Sequence, residues 1–143
     1  MTLDVSLHKL RTVDELPFVG AIAADVAMIM PSWAIYPALD PKLPSGLSSK
    51  WIKSELRDRL GFKGVTISDA IEAGALQAFG SNATRGVLTV QAGIDIALAS
   101  GRNVSQGRDV LDAMVSALKS GKLSKADFVA STRRVLDMRK LLS

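Results

Sequence analysis

At 143 residues, 48% apolar and 22% charged, the chain is long enough for one ordinary domain, and its composition is that of a folded protein rather than a disordered one. It has no cysteine and a single histidine, His8, which excludes a disulfide framework, a cysteine metal site and a histidine cluster, so neither metal nor other cofactor is expected. The net charge of +4 is scattered rather than gathered in a basic run with interleaved aromatics, no apolar run approaches a membrane span, and no leader pattern opens the chain. These features lead to the expectation of a cytoplasmic protein with no nucleic-acid or membrane partner.

In chain order, Asp4–Arg11 reads as a short helical turn. Thr12 to Glu15 has the spacing of a capping box, opening a helix with Phe18, Ile22 and Ala23 on one side and Pro17 in its first turn. Residues 26–30 (Val-Ala-Met-Ile-Met) form a short apolar run without alternation, as in strands buried on both faces. Residues 31–49 hold four prolines and read as a long loop, a kind of segment that tends to be functional. Ser48 or Ser49 can cap a helix carrying Trp51, Ile52, Leu56 and Leu60, which Gly61 ends.

A second buried strand spans 64–68 and delivers Asp69 at its end. A Gly- and Ala-rich stretch leads to a helix over 82–92, stopped by Gly93, and a third strand follows over 94–98. Val110, Leu111, Met114 and Leu118 keep helical spacing up to Gly121, and Ser124 can cap a last helix with Phe128, Val135, Leu136 and Met138 as apolar candidates. Strand and helix alternate, which predicts a parallel sheet within a single unit over 1–143. About three strands with two open edges form too small a sheet to stand alone, so the fold class expected is α/β, as a piece of a larger sheet or a chain that completes its sheet with another copy.

By position alone Asp69 suits either a helix cap or a catalytic carboxylate, since barrel sites gather where strands end. Glu72, three residues on, fits a solvated acid at a helix start or a partner of Asp69. Asp40 sits in a Leu-Asp-Pro turn signal, Asp95 lies in an apolar strand and needs a buried partner, and His8 reads as a surface residue. Trp33 and Tyr36 follow a strand and suit either core filling or stacking on a ligand. There is no phosphate-binding glycine loop, and Ser32 and Ser68 have no evident base.

Three segments in order carry a resemblance: 14–18 through Met28-Ile-Met-Pro-Ser-Trp33 and Tyr36-Pro-Ala-Leu-Asp-Pro41; Leu60-Gly-Phe-Lys-Gly-Val-Thr-Ile-Ser-Asp69 with Ala70 to Ala75; and Val90-Gln-Ala-Gly-Ile-Asp-Ile-Ala-Leu98. From about residue 4 to 142 the chain resembles the second half of the catalytic barrel of glycoside hydrolase family 3, of the β-N-acetylglucosaminidase-like kind. The resemblance implies a partial barrel completed by association, made of barrel strands six to eight, with Asp69 as the nucleophile of retaining β-N-acetylglucosaminide or β-glucoside hydrolysis. It also implies substrate contacts from Trp33, Tyr36, Ser68 and Glu72.

Departures accompany the likeness. Trp33 stands where the family commonly has His, and Ala70 where it commonly has a second Asp. The family's Lys-His-Phe-Pro-Gly-type segment and the His-Asp acid/base pair after it have no counterpart in this sequence. The expected partners are a carbohydrate and either a second copy, as a homodimer, or a complementary half-barrel chain. The alternative is a non-catalytic half-barrel remnant or fragment that serves as a structural or carbohydrate-binding module.

Overall fold

A computed structural model describes residues 1–141; the last two residues of the expected 1–143 unit lie outside the described residues. A short helix α1 (Leu7–Lys9) runs into a wider turn of helix (Leu10–Asp14), followed by α2 (Leu16–Ala23) and strand β1 (Met28–Ile29). After the long loop and a tight turn at Ser45–Leu47 come a wide helix (Lys50–Arg59), β2 (Val65–Ala70), a tight helical stretch (Gly74–Phe79), α3 (Asn82–Ala92) and β3 (Ile96–Leu98). Helices α4 (Val104–Lys119) and α5 (Lys125–Lys140) close the order. The strands pair in the order β1-β2-β3, all parallel, with Met28 opposite Val65 and Ile67 opposite Ile96. The result is the parallel α/β arrangement that strand–helix alternation implies, in the form of the partial barrel that the resemblance implies.

Several helix ends follow the sequence signals. Ser124 Oγ accepts from the Asp127 amide at the start of α5, and Gly93 ends α3 at φ +109°, a conformation closed to most side chains. Two signals fail. The Thr12–Glu15 pattern lies inside helix already begun at Ser6, so the Thr12 hydroxyl donates back to the His8 carbonyl instead of capping. Glu15 is buried and pairs with Arg59. Neither Ser48 nor Ser49 caps the wide helix through its side chain; the buried Ser48 donates to Asp40 instead.

The core is aliphatic, as scarce aromatics require. Trp33 packs with Leu47, Ile71, Leu76 and Val110, while Ile29, Leu56 and Phe62 make a second cluster. Some expected core positions are exposed, notably Phe18, Leu111 and Leu136. Their distribution is orderly. Among the described residues, no large apolar side chain between 31 and 103 is exposed; those that are comprise Met1 and residues in or beside α2 and β1, or in α4, α5 and their flanks. The middle of the chain leaves no large apolar side chain uncovered, and its two ends do.

Below the sheet, Asp95 is the junction. Its side chain is fully buried. One carboxylate oxygen accepts from Arg57 Nη2 at 2.7 Å, from the Thr66 amide at 2.9 Å and from the Thr66 hydroxyl at 3.0 Å. The other accepts from Arg134 Nη2 at 2.7 Å and Nε at 3.1 Å. Burial pushes the Asp95 carboxyl upward, but the bonds from Arg134 and Thr66 and the charge of Arg57 outweigh it and hold the group below the usual carboxylate range. Its stabilising contribution is therefore complete above the unfolded carboxyl value of about 3.9 and is lost as the pH falls through the lower folded value. Replacing Asp95 with Asn leaves two partly buried arginines without their charge partner, which costs about 3–5 kcal/mol. We expect a correspondingly lower urea midpoint at pH 7 and a shallower loss of stability below about pH 4, both read by denaturation across pH.

Candidate active site

The site forms where β2 ends. Ile67 pairs with Ile96 and Ala70 with Leu98, so β2 advances three residues while β3 advances two. The extra residue is a bulge at Ser68–Asp69, a device that re-aims side chains and is over-represented beside active sites. Asp69 is half-buried. Its Oδ1 accepts from the Ala70 amide at 2.6 Å, and among the described residues no donor reaches its other oxygen. Asp69 does not cap a helix, because the next helical stretch begins only at Gly74.

The segment after Asp69 is fixed from two sides. The Ile71 amide donates to the Leu98 carbonyl at 3.0 Å. Glu72 Oε1 accepts from the Ser100 hydroxyl, and its Oε2 accepts from the Ser100 amide at 3.3 Å and from Gln106 Nε2 at 2.9 Å. Gln106 Oε1 in turn accepts from the Gly101 amide at 2.8 Å. Burial raises the Glu72 carboxyl, but the bonds from Ser100 and Gln106 outweigh that and leave it below the ordinary range. Glu72 is thus an ionised tether between the loops after β2 and β3. From the α3 side, the buried Arg85 donates through Nη1 to the Ile71 carbonyl and to Asn82 Oδ1, each at 3.2 Å.

The other sequence candidates separate. Trp33 is 6% exposed and its indole N–H donates to the Ala70 carbonyl at 2.9 Å, so it supports the site from within the core rather than offering a ring to a sugar. Ser68 has no exposed surface and presents no atom to a substrate. Tyr36 is partly exposed, its ring 5.0 Å from that of Trp51. Asp40 is a loop clamp, accepting from the amides of Lys42 and Leu43 and from Ser48 Oγ. His8 is exposed on α1. Among the described residues no group of three or more His, Cys, Asp or Glu is arranged to hold a metal. Arg85, Ser100 and Gln106 escape sequence reasoning, since polar residues at helix starts and loop ends carry no distinctive pattern.

Residues 1–138 match the family model described as the glycosyl hydrolase family 3 N-terminal domain. An uncharacterized secreted glycosyl hydrolase of Arthroderma benhamiae is 52% identical over 141 residues, covering 99% of this chain and 40% of that protein. A β-hexosaminidase of Thioalkalivibrio sulfidiphilus is 40% identical over 101 residues, which is 71% of this chain and 28% of the enzyme. In solved structures, a glycoside hydrolase family 3 β-N-acetylglucosaminidase from Paenibacillus superposes with a TM-score of 0.93 at 33% identity, over 97% of this chain and 26% of that one. The chain thus spans well under half the length of these relatives. The Arthroderma relative also corrects the cytoplasmic expectation, because a secreted counterpart points to an extracellular protein. Secretion is written in a leader segment, whereas the cytoplasmic expectation rests largely on the composition of the folded part.

The packing beneath Asp69 is testable. A Cβ built on Gly46 would lie 2.4 Å from Trp33 Cζ3. Gly46→Ala should lower stability by about 1–3 kcal/mol through overpacking. The same change made on Trp33→Phe should cost measurably less, a coupling that a double-mutant cycle of urea midpoints reads directly.

Proposed function

The chain belongs to glycosyl hydrolase family 3, and on that premise we propose that it is the nucleophile-bearing part of an extracellular retaining glycosidase acting on β-N-acetylglucosaminides or β-glucosides. The observation that carries this reading is the placement of Asp69 on a bulge at the carboxyl end of the central strand. Likeness to β-hexosaminidases and to a β-N-acetylglucosaminidase supports the substrate class.

In this reading Asp69 attacks the anomeric carbon as the bond to the leaving oxygen breaks, forming a glycosyl-enzyme. A second group protonates that oxygen and then takes a proton from the water that releases the sugar. Glu72 is unsuited to the second role: its oxygens are occupied by Ser100 and Gln106, and it is held ionised at neutral pH. The acid therefore comes from outside these residues. The partly exposed Tyr36 is the candidate for stacking on a sugar face.

The same partner supplies both the acid and the missing barrel. An eight-stranded barrel built on the three strands seen here needs five more, whereas a second copy brings only three. We therefore favour a complementary five-strand portion over a homodimer. It would pair with the open edges of β1 and β3 and cover the uncovered apolar faces of α2, α4 and α5, including Phe18, Leu111 and Leu136.

The test is hydrolysis of an aryl β-N-acetylglucosaminide and an aryl β-glucoside. The chain is assayed alone and mixed with the complementary portion of a family member, with sedimentation to count subunits. The mixture should form a one-to-one complex that turns over one substrate, and Asp69→Ala should reduce turnover about a thousandfold or more. Activity indifferent to Asp69→Ala would sink its assignment. Activity of a self-associated chain alone would replace the complementary partner by a second copy. Saturable sugar binding without turnover in any assembly would mark a carbohydrate-binding module.

A further inference from the structure

A bulge leaves backbone groups on the facing strand out of step, and here the mismatch falls on Leu98. In an unbroken parallel ladder the Leu98 amide would donate to a carbonyl of β2. Here the Leu98 amide donates to the Ser68 hydroxyl at 3.0 Å, and that hydroxyl donates to the Asp69 carbonyl at 2.7 Å. The serine oxygen joins a donor on one strand to an acceptor on the other. It accepts from one strand and gives to the other, so both backbone groups are satisfied in a place without solvent, since Ser68 has no exposed surface.

We propose that Ser68 is a positioning residue that relays one ladder hydrogen bond across the bulge and thereby fixes the backbone from which the Asp69 carboxylate is aimed. The aim itself is visible in the bond from the Ala70 amide to Asp69 Oδ1 at 2.6 Å, which requires the Asp69 backbone and side chain to be set together. An apolar residue at 68 would remove both of these buried bonds, to the Leu98 N–H and the Asp69 C=O. A cysteine would keep the size but offer only a weak donor and acceptor. The catalytic part of this inference rests on the glycosidase reading above; the relay itself does not.

Amide hydrogen exchange of Leu98, Ala70 and Thr66 in the wild-type chain, Ser68→Ala and Ser68→Cys separates these parts. Thr66 is the control, because its amide is held by Asp95 on the same strand, before the bulge. In Ser68→Ala the Leu98 and Ala70 amides should exchange about ten- to a hundredfold faster while Thr66 is unchanged. Ser68→Cys, the variant least disturbing to folding, should shift the same two amides in the same direction by less. Equal acceleration of all three amides, or none at Leu98 and Ala70 in either variant, would overturn the relay. In the active assembly, kcat should fall about tenfold or more with KM nearly constant. An unchanged kcat with loosened Leu98 and Ala70 would overturn the positioning role. If the wild-type assembly is inactive, the glycosidase reading fails, and the exchange pattern still decides the relay.

Discussion

One buried carboxylate sets the register on which everything above it depends. Asp95 stands just before β3 and takes hydrogen bonds from β2 through Thr66, from the wide helix through Arg57 and from α5 through Arg134. A parallel strand of three residues has few ladder bonds of its own to prevent slippage. A one-residue slip would turn Ile96 and Leu98 to the wrong face and break the Asp95–Thr66 contacts at once. The arrangement is also unforgiving, because two partly buried arginines depend on the same buried acid as charge partner.

From that fixed point the two ends of the sheet divide the work. Toward the start of the strands, the charged junction and the Ile52, Ala92 and Ile94 cluster hold elements together. Toward the other end the ladder departs from regularity, and each departure has its own support: Ser68 across the bulge, Arg85 on the Ile71 carbonyl, Trp33 on the Ala70 carbonyl and Glu72 on the next loop. Four side chains thus brace four successive or near-successive residues around Asp69. In the proposed reading Asp69 is a nucleophile, which must be held close to its productive geometry, and rigid strand ends braced from behind suit that need. Trp33 and Ala70, the two positions where the sequence departs from the family pattern, meet in this bracing, and the contact runs through the backbone carbonyl of Ala70 rather than its side chain.

How much of this is legible in the sequence depends on whether the cause is local. Buried strands and glycine-ended helices are local, so β2, α3 and the stops at Gly93 and Gly121 can be read from the residues themselves. The position of Asp69 at a strand end is likewise visible, and its chemical role comes from resemblance. The bulge is not visible, because the difference between three steps on β2 and two on β3 exists only in the pairing. Asp95 announces a need for partners, but Arg57 and Arg134 lie 38 and 39 residues away on opposite sides. The Thr12–Glu15 pattern misleads for the opposite reason: the motif is real in isolation, but the chain enters it already helical, and a distant arginine claims the glutamate.

The unequal covering of the chain bears on how the barrel closes. Were the sheet to associate face to face with a copy of itself, the exposed apolar surface should be spread over one face of all its elements. It is instead confined to the elements at the two ends of the sequence, while the helices between paired strands are sealed. Uncovered ends around a covered middle are what remains when neighbours are missing at each edge, since each barrel helix packs against those beside it. Parallel edges cannot be joined by a tight turn; each needs a crossover of a dozen or more residues. Complementary strands of the kind proposed would bring their own helices, and Phe18, Val19, Val129 and Leu136 lie exposed on α2 and α5 where such helices would pack. Closure of that kind would do for the edges what Asp95 does for the interior: it would fix which strand lies beside which, and so which side chains face Asp69.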